Sequence, residues 1–114
     1  MEHLILVINP GSTSTKLAVY RDEKPVHITS LHHSAEELAP FRDIAEQKEF
    51  RQQVIIQWLE EVGVALESLT ALVARGGLLA PIPGGTYRIN VLMVSHMAEG
   101  RYGKHASNLG ALIA

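Results

Sequence analysis

Apolar and polar positions change period several times along the chain, and those changes divide it into elements. Leu4 to Ile8 is a near-continuous Leu/Ile/Val run, the pattern of a central strand buried on both faces. Asn9-Pro10-Gly11 is turn chemistry, and Pro10, which lacks an N–H, is expected to end the ladder. Lys16 to Tyr20 resumes with Leu17, Ala18, Val19 and Tyr20 and predicts a second strand. Arg21-Asp22-Glu23-Lys24-Pro25 is a charged reversal, after which Val26 to Leu31 alternates like an edge strand, with Val26, Ile28 and Ser30 on one face. Three short strands joined by tight turns predict an antiparallel meander.

Beyond the meander the period lengthens. Ser34-Ala35-Glu36-Glu37 fits a capping box, with Ser34 as N-cap and Glu37 reaching back. Pro40 makes the stretch to about Ile44 irregular. From about Gln47 to Val62, the apolar Phe50, Val54, Ile55, Trp58, Leu59 and Val62 recur at spacings that mark one face of an amphipathic helix. Burying that stripe contributes ~1.5–3 kcal/mol per large residue before entropy is subtracted. Gly63 is the expected stop. Leu69 to Ala74 reads as a fourth strand; reached through a helix, it should run parallel to a strand of the meander. Gly76 to Tyr87 is loop, Asn90 caps a short helix over Val91 to Glu99 with Gly100 after it, and His105 to Ala114 starts another. The chain ends on Gly110-Ala111-Leu112-Ile113-Ala114, apolar and without a polar cap, where a strand–helix alternation would next call for a strand. The expectation is an α/β domain with a mixed sheet, incomplete at its C-terminus. An unpaired side of the fourth strand and an uncovered last helix would favour a dimer or higher oligomer.

Composition narrows the function classes. The chain has 114 residues, 46% of them hydrophobic and 19% charged, enough for one globular domain or part of one. It has no cysteine, which removes disulfides and thiolate metal sites. A net charge of −2, with 5% aromatic residues, gives no footprint for nucleic acid. No apolar run approaches the ~20 residues of a membrane span. The apolar core of the N-terminus is short and follows an acidic residue, unlike a secretory signal, so cytoplasm is expected.

The candidate chemistry lies in three places. Gly11, Ser12, Thr13, Ser14, Thr15 and Lys16 crowd backbone N–H groups, hydroxyls and an ammonium into one bend suited to a phosphate. Gly11 and Lys16 have GxxxxK spacing, but the second glycine is missing and a strand follows, so this is no Walker A motif. On the residues alone, the bend is either a hairpin that grips a terminal phosphate or an ordinary solvated turn. Arg75-Gly76-Gly77 follows the fourth strand, at the end where open α/β sheets place their ligands. The Arg fork suits a carboxylate or phosphoryl group, and the competing reading is a surface Arg at a glycine turn. His105 precedes Ser107-Asn108 at a helix start, where it reads as an anion ligand or a cap. The other histidines, among six in all, show no ligand spacing, and His32 and His33 diverge on a strand end, so no metal site is expected. A hydrolase would need a GxSxG elbow, which is absent.

Taken together, Ile8 to Lys16 (INPGSTSTK), Ala74 to Tyr87 (ARGGLLAPIPGGTY) and Gly103 to Ala114 (GKHASNLGALIA) resemble the butyrate kinase branch of the acetate kinase family, in the sugar kinase/actin/Hsp70 superfamily. The resemblance runs the length of the chain. It implies a ribonuclease H-like (actin-like ATPase) fold, of which residues 1–114 would be the N-terminal part, with a second domain absent. It implies phosphorylation of butyrate or a similar short-chain carboxylate by ATP with Mg²⁺, giving an acyl phosphate and ADP. Asn9, Ser12, Ser14 and Lys16 match residues near the γ-phosphate, with Gly11 and Thr13 in the same hairpin. His105 matches the histidine that binds the transferring phosphoryl group, and Asn108 lies near it. Arg75 is carried over only from the butyrate branch, since acetate kinases have His at its position and Arg at that of Leu72. Lys104 stands where the branch has Glu, which adds positive charge beside the phosphoryl site. Acetate, propionate and branched acids are alternative substrates, and a non-catalytic truncated product is the non-enzyme alternative.

Overall fold

The computed structural model describes residues 2–114 and is built on an open four-stranded sheet. β1 (Leu4–Pro10), β2 (Ser14–Arg21) and β3 (Lys24–His32) form the antiparallel meander. The chain passes through α1 (Ala35–Leu38), a 3-10 turn at Ile44–Gln47 and α2 (Lys48–Glu61) before returning as β4 (Ala71–Ala74). β4 lies parallel to β1, and the strand order is β3-β2-β1-β4. After a loop come α3 (Val91–Glu99), a 3-10 turn at Ala106–Asn108 and α4 (Leu109–Ile113). The Ser34/Glu37 capping box forms as the sequence predicts, Asn90 caps α3, and Gly63 and Gly100 end α2 and α3 at φ 75° and 68°.

Register sorts the strand residues. Leu6 faces Val19 and Ile8 faces Leu17, so alternation puts all four on one side of the sheet, each 2% exposed or less. α2 covers that side with Ile55, Trp58 and Leu59, and α4 adds Leu109 and Ile113. The opposite face carries no helix among the described residues. Val26 and Ile28 point there, with Ile28 70% exposed, while His27, Thr29 and Leu31 take the inner side of β3.

Three expectations need correction. Asn9 and Pro10 belong to β1 rather than to the turn, with Pro10 its last residue, opposite Thr15. Gly11 donates its N–H to Ser14 O, so the alternating antiparallel pattern asks no N–H of Pro10, and β4 has already ended beside Ile8. The second strand begins at Ser14 rather than Lys16, which shrinks the bend to Gly11-Ser12-Thr13. The last helix is not uncovered: Leu109, Gly110, Ala111 and Ile113 are all buried, against α2, α3 and β1. The unpaired outer side of β4 is present as expected.

Candidate functional site

The turn between β1 and β2 is polar on one side and pinned from the other. Ser12 and Thr13 are exposed at its tip. Alternation then sends Ser14 and Lys16 to the face of the sheet opposite the helices, where Lys16 pairs across from Asn9. Thr15 goes to the inner face and is fully buried, so it is lost to any ligand. The Lys16 ammonium takes no internal partner among the described residues and remains available to an anion.

Behind the turn lie two residues that the sequence reading did not select. Arg51 of α2 is 0% exposed, and its Nη1 donates to Ser14 O at 2.8 Å and to Thr15 Oγ1 at 3.3 Å. Its Nη2 donates to Ser12 O at 3.3 Å, and Gln47 Oε1 accepts from both Nη2 and Nε. His33 is buried beside them, with Nε2 2.7 Å from Thr15 Oγ1 and its ring edge-on to Phe50. Burial, and then the Arg51 charge, lower the His33 pKa below 6.5, which keeps the ring neutral near pH 7. A signal for Arg51 existed: it stands at helical spacing from Ile55, Trp58 and Val62, on the stripe that packs inward.

Arg75 and His105 arrive from separate elements and are brought to the same end of the sheet. The Arg75 N–H donates to Ile8 O at 3.0 Å, which sets Arg75 next to the start of the turn. The 3-10 turn carrying Ala106–Asn108 packs on β1. Two glycines allow this approach. A Cβ on Gly110 would stand 2.8 Å from Arg75 O, and one on Gly77 2.8 Å from the Asn108 Cα. Asn108 then stitches the pieces: its Oδ1 accepts from the Leu78 N–H at 2.7 Å, and its Nδ2 donates to Gly103 O at 3.0 Å and Met97 O at 3.4 Å. With every polar atom of its amide engaged, Asn108 is a positioning group rather than a ligand.

Of the two sequence readings of His105, the structure displays the cap. Its Nδ1 accepts from the Ser107 N–H at 3.0 Å and lies 2.9 Å from Ser107 Oγ, capping the 3-10 turn. That bond uses the Nδ1 lone pair, so the neutral ring carries its proton on Nε2. The exposed Nε2–H has no internal acceptor among the described residues. The Arg75 guanidinium likewise has no internal partner there. Lys104 turns aside to Asp43 at 3.3 Å, and that bond holds the Asp43 carboxyl below its usual range. Its charge is thus paired rather than added to the site.

A cleft of about 990 Å³ opens beside β4, between Arg75 and the following loop. Leu79, Pro81, Ile82, Met93 and Met97 give it apolar walls, and Arg75 and Arg88 supply cations at its lining. No cluster of three or more His, Asp or Glu side chains among the described residues could hold a metal ion. The donors at the turn are neutral or cationic, so they fit phosphate oxygens and do not fit Mg²⁺. No helix of the described residues is long and apolar enough to cross a membrane.

No protein-family model matches the chain. Among curated proteins it is 49% identical over 110 residues to butyrate kinase 1 of Clostridium acetobutylicum, a match covering 96% of this chain and 31% of that relative. It is 48% identical over 110 residues to a probable butyrate kinase of Listeria monocytogenes serotype 4b, with the same coverage of both. To butyrate kinase 2 of C. acetobutylicum it is 46% identical over 114 residues, which is 100% of this chain and 32% of the relative. The chain therefore spans about a third of the length of the curated relatives it matches.

Proposed function

We propose, on the premise of a chain that is butyrate kinase-like over nearly all its length, that it supplies the phosphate- and carboxylate-facing part of an acyl kinase. The reaction is ATP-dependent phosphorylation of butyrate or a similar short-chain carboxylate in the cytoplasm. The fold assignment that goes with it is the actin-like ATPase domain, whose meander followed by helix and parallel strand agrees with the β3-β2-β1-β4 order. The activity belongs to a protein with the length of the relatives; the 114-residue chain by itself is expected to be inactive. Through its uncovered sheet face and open β4 edge, the chain is expected to self-associate.

One observation carries this reading: the turn after β1, the Arg75 loop after β4 and the His105 turn converge at one end of the sheet, locked by the Gly77–Asn108 and Gly110–Arg75 contacts. In the transfer, a carboxylate oxygen forms a bond to the γ-phosphorus while the bond to the ADP oxygen breaks. Asn9, Ser12, Thr13, Ser14 and Lys16 hold the nucleotide's terminal phosphates by N–H, hydroxyl and ammonium donors, while Gly11, whose N–H is engaged by Ser14 O, closes the turn that presents them. The His105 Nε2–H donates to an oxygen of the moving phosphoryl group, stabilising charge that spreads over its oxygens. Arg75 orients the carboxylate by its fork. The apolar cleft suits an alkyl tail.

The test is a chimera in which this chain replaces the matching 110 residues of butyrate kinase 1 of C. acetobutylicum. Acyl phosphate, trapped as the hydroxamate, is expected from ATP, Mg²⁺ and butyrate. Arg75→Ala and His105→Ala in the chimera should each cost about 10²-fold or more in kcat, the scale of one lost transition-state donor. A folded chimera without kinase activity, or variants that match it, would refute the assignment.

A further inference from the structure

We propose that Arg51 is a positioning residue that makes an anion receptor of the Gly11–Ser14 turn, its own buried charge being balanced by a bound phosphate. The proposal rests on the phosphate-binding reading of that turn. A turn can receive an anion only if its carbonyl oxygens face elsewhere, because their lone pairs repel negative charge. Here each of three successive carbonyls is held from behind. Ser12 O accepts from Arg51 Nη2, Thr13 O accepts from the His33 N–H at 2.8 Å, and Ser14 O accepts from Arg51 Nη1 and the Gly11 N–H. Among the described residues, no acceptor takes the N–H of Ser12 or Thr13.

Charge points the same way. The donors of the Arg51 fork are engaged by Ser12 O, Ser14 O, Thr15 Oγ1 and Gln47 Oε1, every one of them neutral. The ion pairs among the described residues are Arg21–Glu2 and Lys104–Asp43, and neither involves Arg51. Arg stays protonated even when buried, so the fork keeps a full positive charge without a counter-ion. Burying such a charge is costly, and neutral donors could pin the carbonyls without it. A phosphate docked across the turn supplies the missing negative charge through a few ångströms of low-dielectric backbone.

The experiment titrates the ¹⁵N-labelled 114-residue chain with inorganic phosphate and follows the amides from Gly11 to Lys16. The unmodified chain is expected to show saturable shifts there. Arg51→Met should weaken phosphate binding by about tenfold or more, and Arg51→Lys, which keeps the charge, should regain much of that loss. A merely structural role would lower stability in both variants without separating their affinities. Titration with ATP distinguishes a nucleotide's terminal phosphate from the free anion, and Arg51→Met should weaken both. Unchanged affinity in a folded Arg51→Met chain overturns the proposal and leaves the phosphate-binding reading intact. Absence of saturable shifts in the unmodified chain overturns both. Should Arg51→Met not fold, Gln47→Leu decides: it keeps the charge but releases the fork, and at least about a threefold loss is expected, against none if the proposal is wrong.

Discussion

Replacing Asn108 should loosen the whole carboxyl end of the sheet, and the size of the effect follows from its contacts. The residue is 3% exposed and holds the loop after β4 to the segment before His105. Asn108→Ala removes a 2.7 Å bond from Leu78 N–H, a 3.0 Å bond to Gly103 O and a longer one to Met97 O. Two short bonds at about 1 kcal/mol each, plus the penalty of stranding a partly buried N–H, give a loss of about 2–4 kcal/mol. Against a total stability of about 5–15 kcal/mol, that is a large share. With an m-value of about 1–2 kcal/mol per molar urea, the midpoint should fall by about 1–4 M. Urea unfolding followed by far-UV circular dichroism and by the fluorescence of Trp58, the single tryptophan, measures it. Asn108→Asp keeps the shape and the bond from Leu78 but turns an oxygen toward two carbonyls. At neutral pH it should destabilise at least as much as Ala, and the gap should narrow in acid, as the introduced carboxyl regains a donor. A loss below about 1 kcal/mol for Asn108→Ala, or an Asn108→Asp chain as stable as the unmodified one at pH 7, would refute the reasoning.

Other predictions concern packing, protons and assembly. Gly110→Ala should displace the Arg75 loop, because the new methyl meets Arg75 O at 2.8 Å and Ala74 Cβ at 3.0 Å; the loss should reach about 1–3 kcal/mol, and a thermal midpoint that does not move would contradict it. His33 has a lowered pKa in the folded chain, so the unfolded chain takes up its proton first as pH falls. The stability from the neutral ring is therefore complete above about pH 6.5 and is lost as pH drops below it toward the lowered value. Urea midpoints at pH 7.5 and 5 should differ less in His33→Asn, and an identical pH slope would count against the buried neutral ring. Sedimentation of the 114-residue chain should show a concentration-dependent dimer or larger species through the uncovered sheet face, and a monomer at high concentration would exclude it.

The strands were readable because Leu4 to Ile8 and Leu17 to Tyr20 need no partner to declare their type, and the parallel placement of β4 followed from the helix before it. Thr15 was harder. Its period-two kinship with Leu17 and Val19 puts it inside, but a run of hydroxyl residues reads as surface. Arg51 was hidden for a similar reason, since a charged residue on a helix is presumed to face water, even at the spacing of Ile55 and Trp58. Apart from Gln47, its acceptors are the Ser12 and Ser14 carbonyls and the Thr15 hydroxyl, 36 to 39 positions away, which no local pattern encodes. The burial of α4 escaped detection because its apolar face is completed by α2 and α3, again from distant sequence. The pairing of Lys104 with Asp43 spans 61 positions and belongs to the same class.

The meander and β4 also differ in when they can form. β1, β2 and β3 join neighbours in the sequence through turns, whereas Leu4 and Thr70 meet only after 66 positions of chain have been laid down. Closing that long loop is entropically costly, and β4 offers only four residues in return. The hairpin that carries the turn after β1 is thus local in sequence, while Arg75, the cleft beside it and the Arg51 bonds behind the turn all wait on α2. In the folded chain the order reverses: the late edge opens more readily than the central pair. The hairpin turn and the Arg75 loop accordingly have separate lifetimes, with the loop the one that can come and go while the turn stays formed.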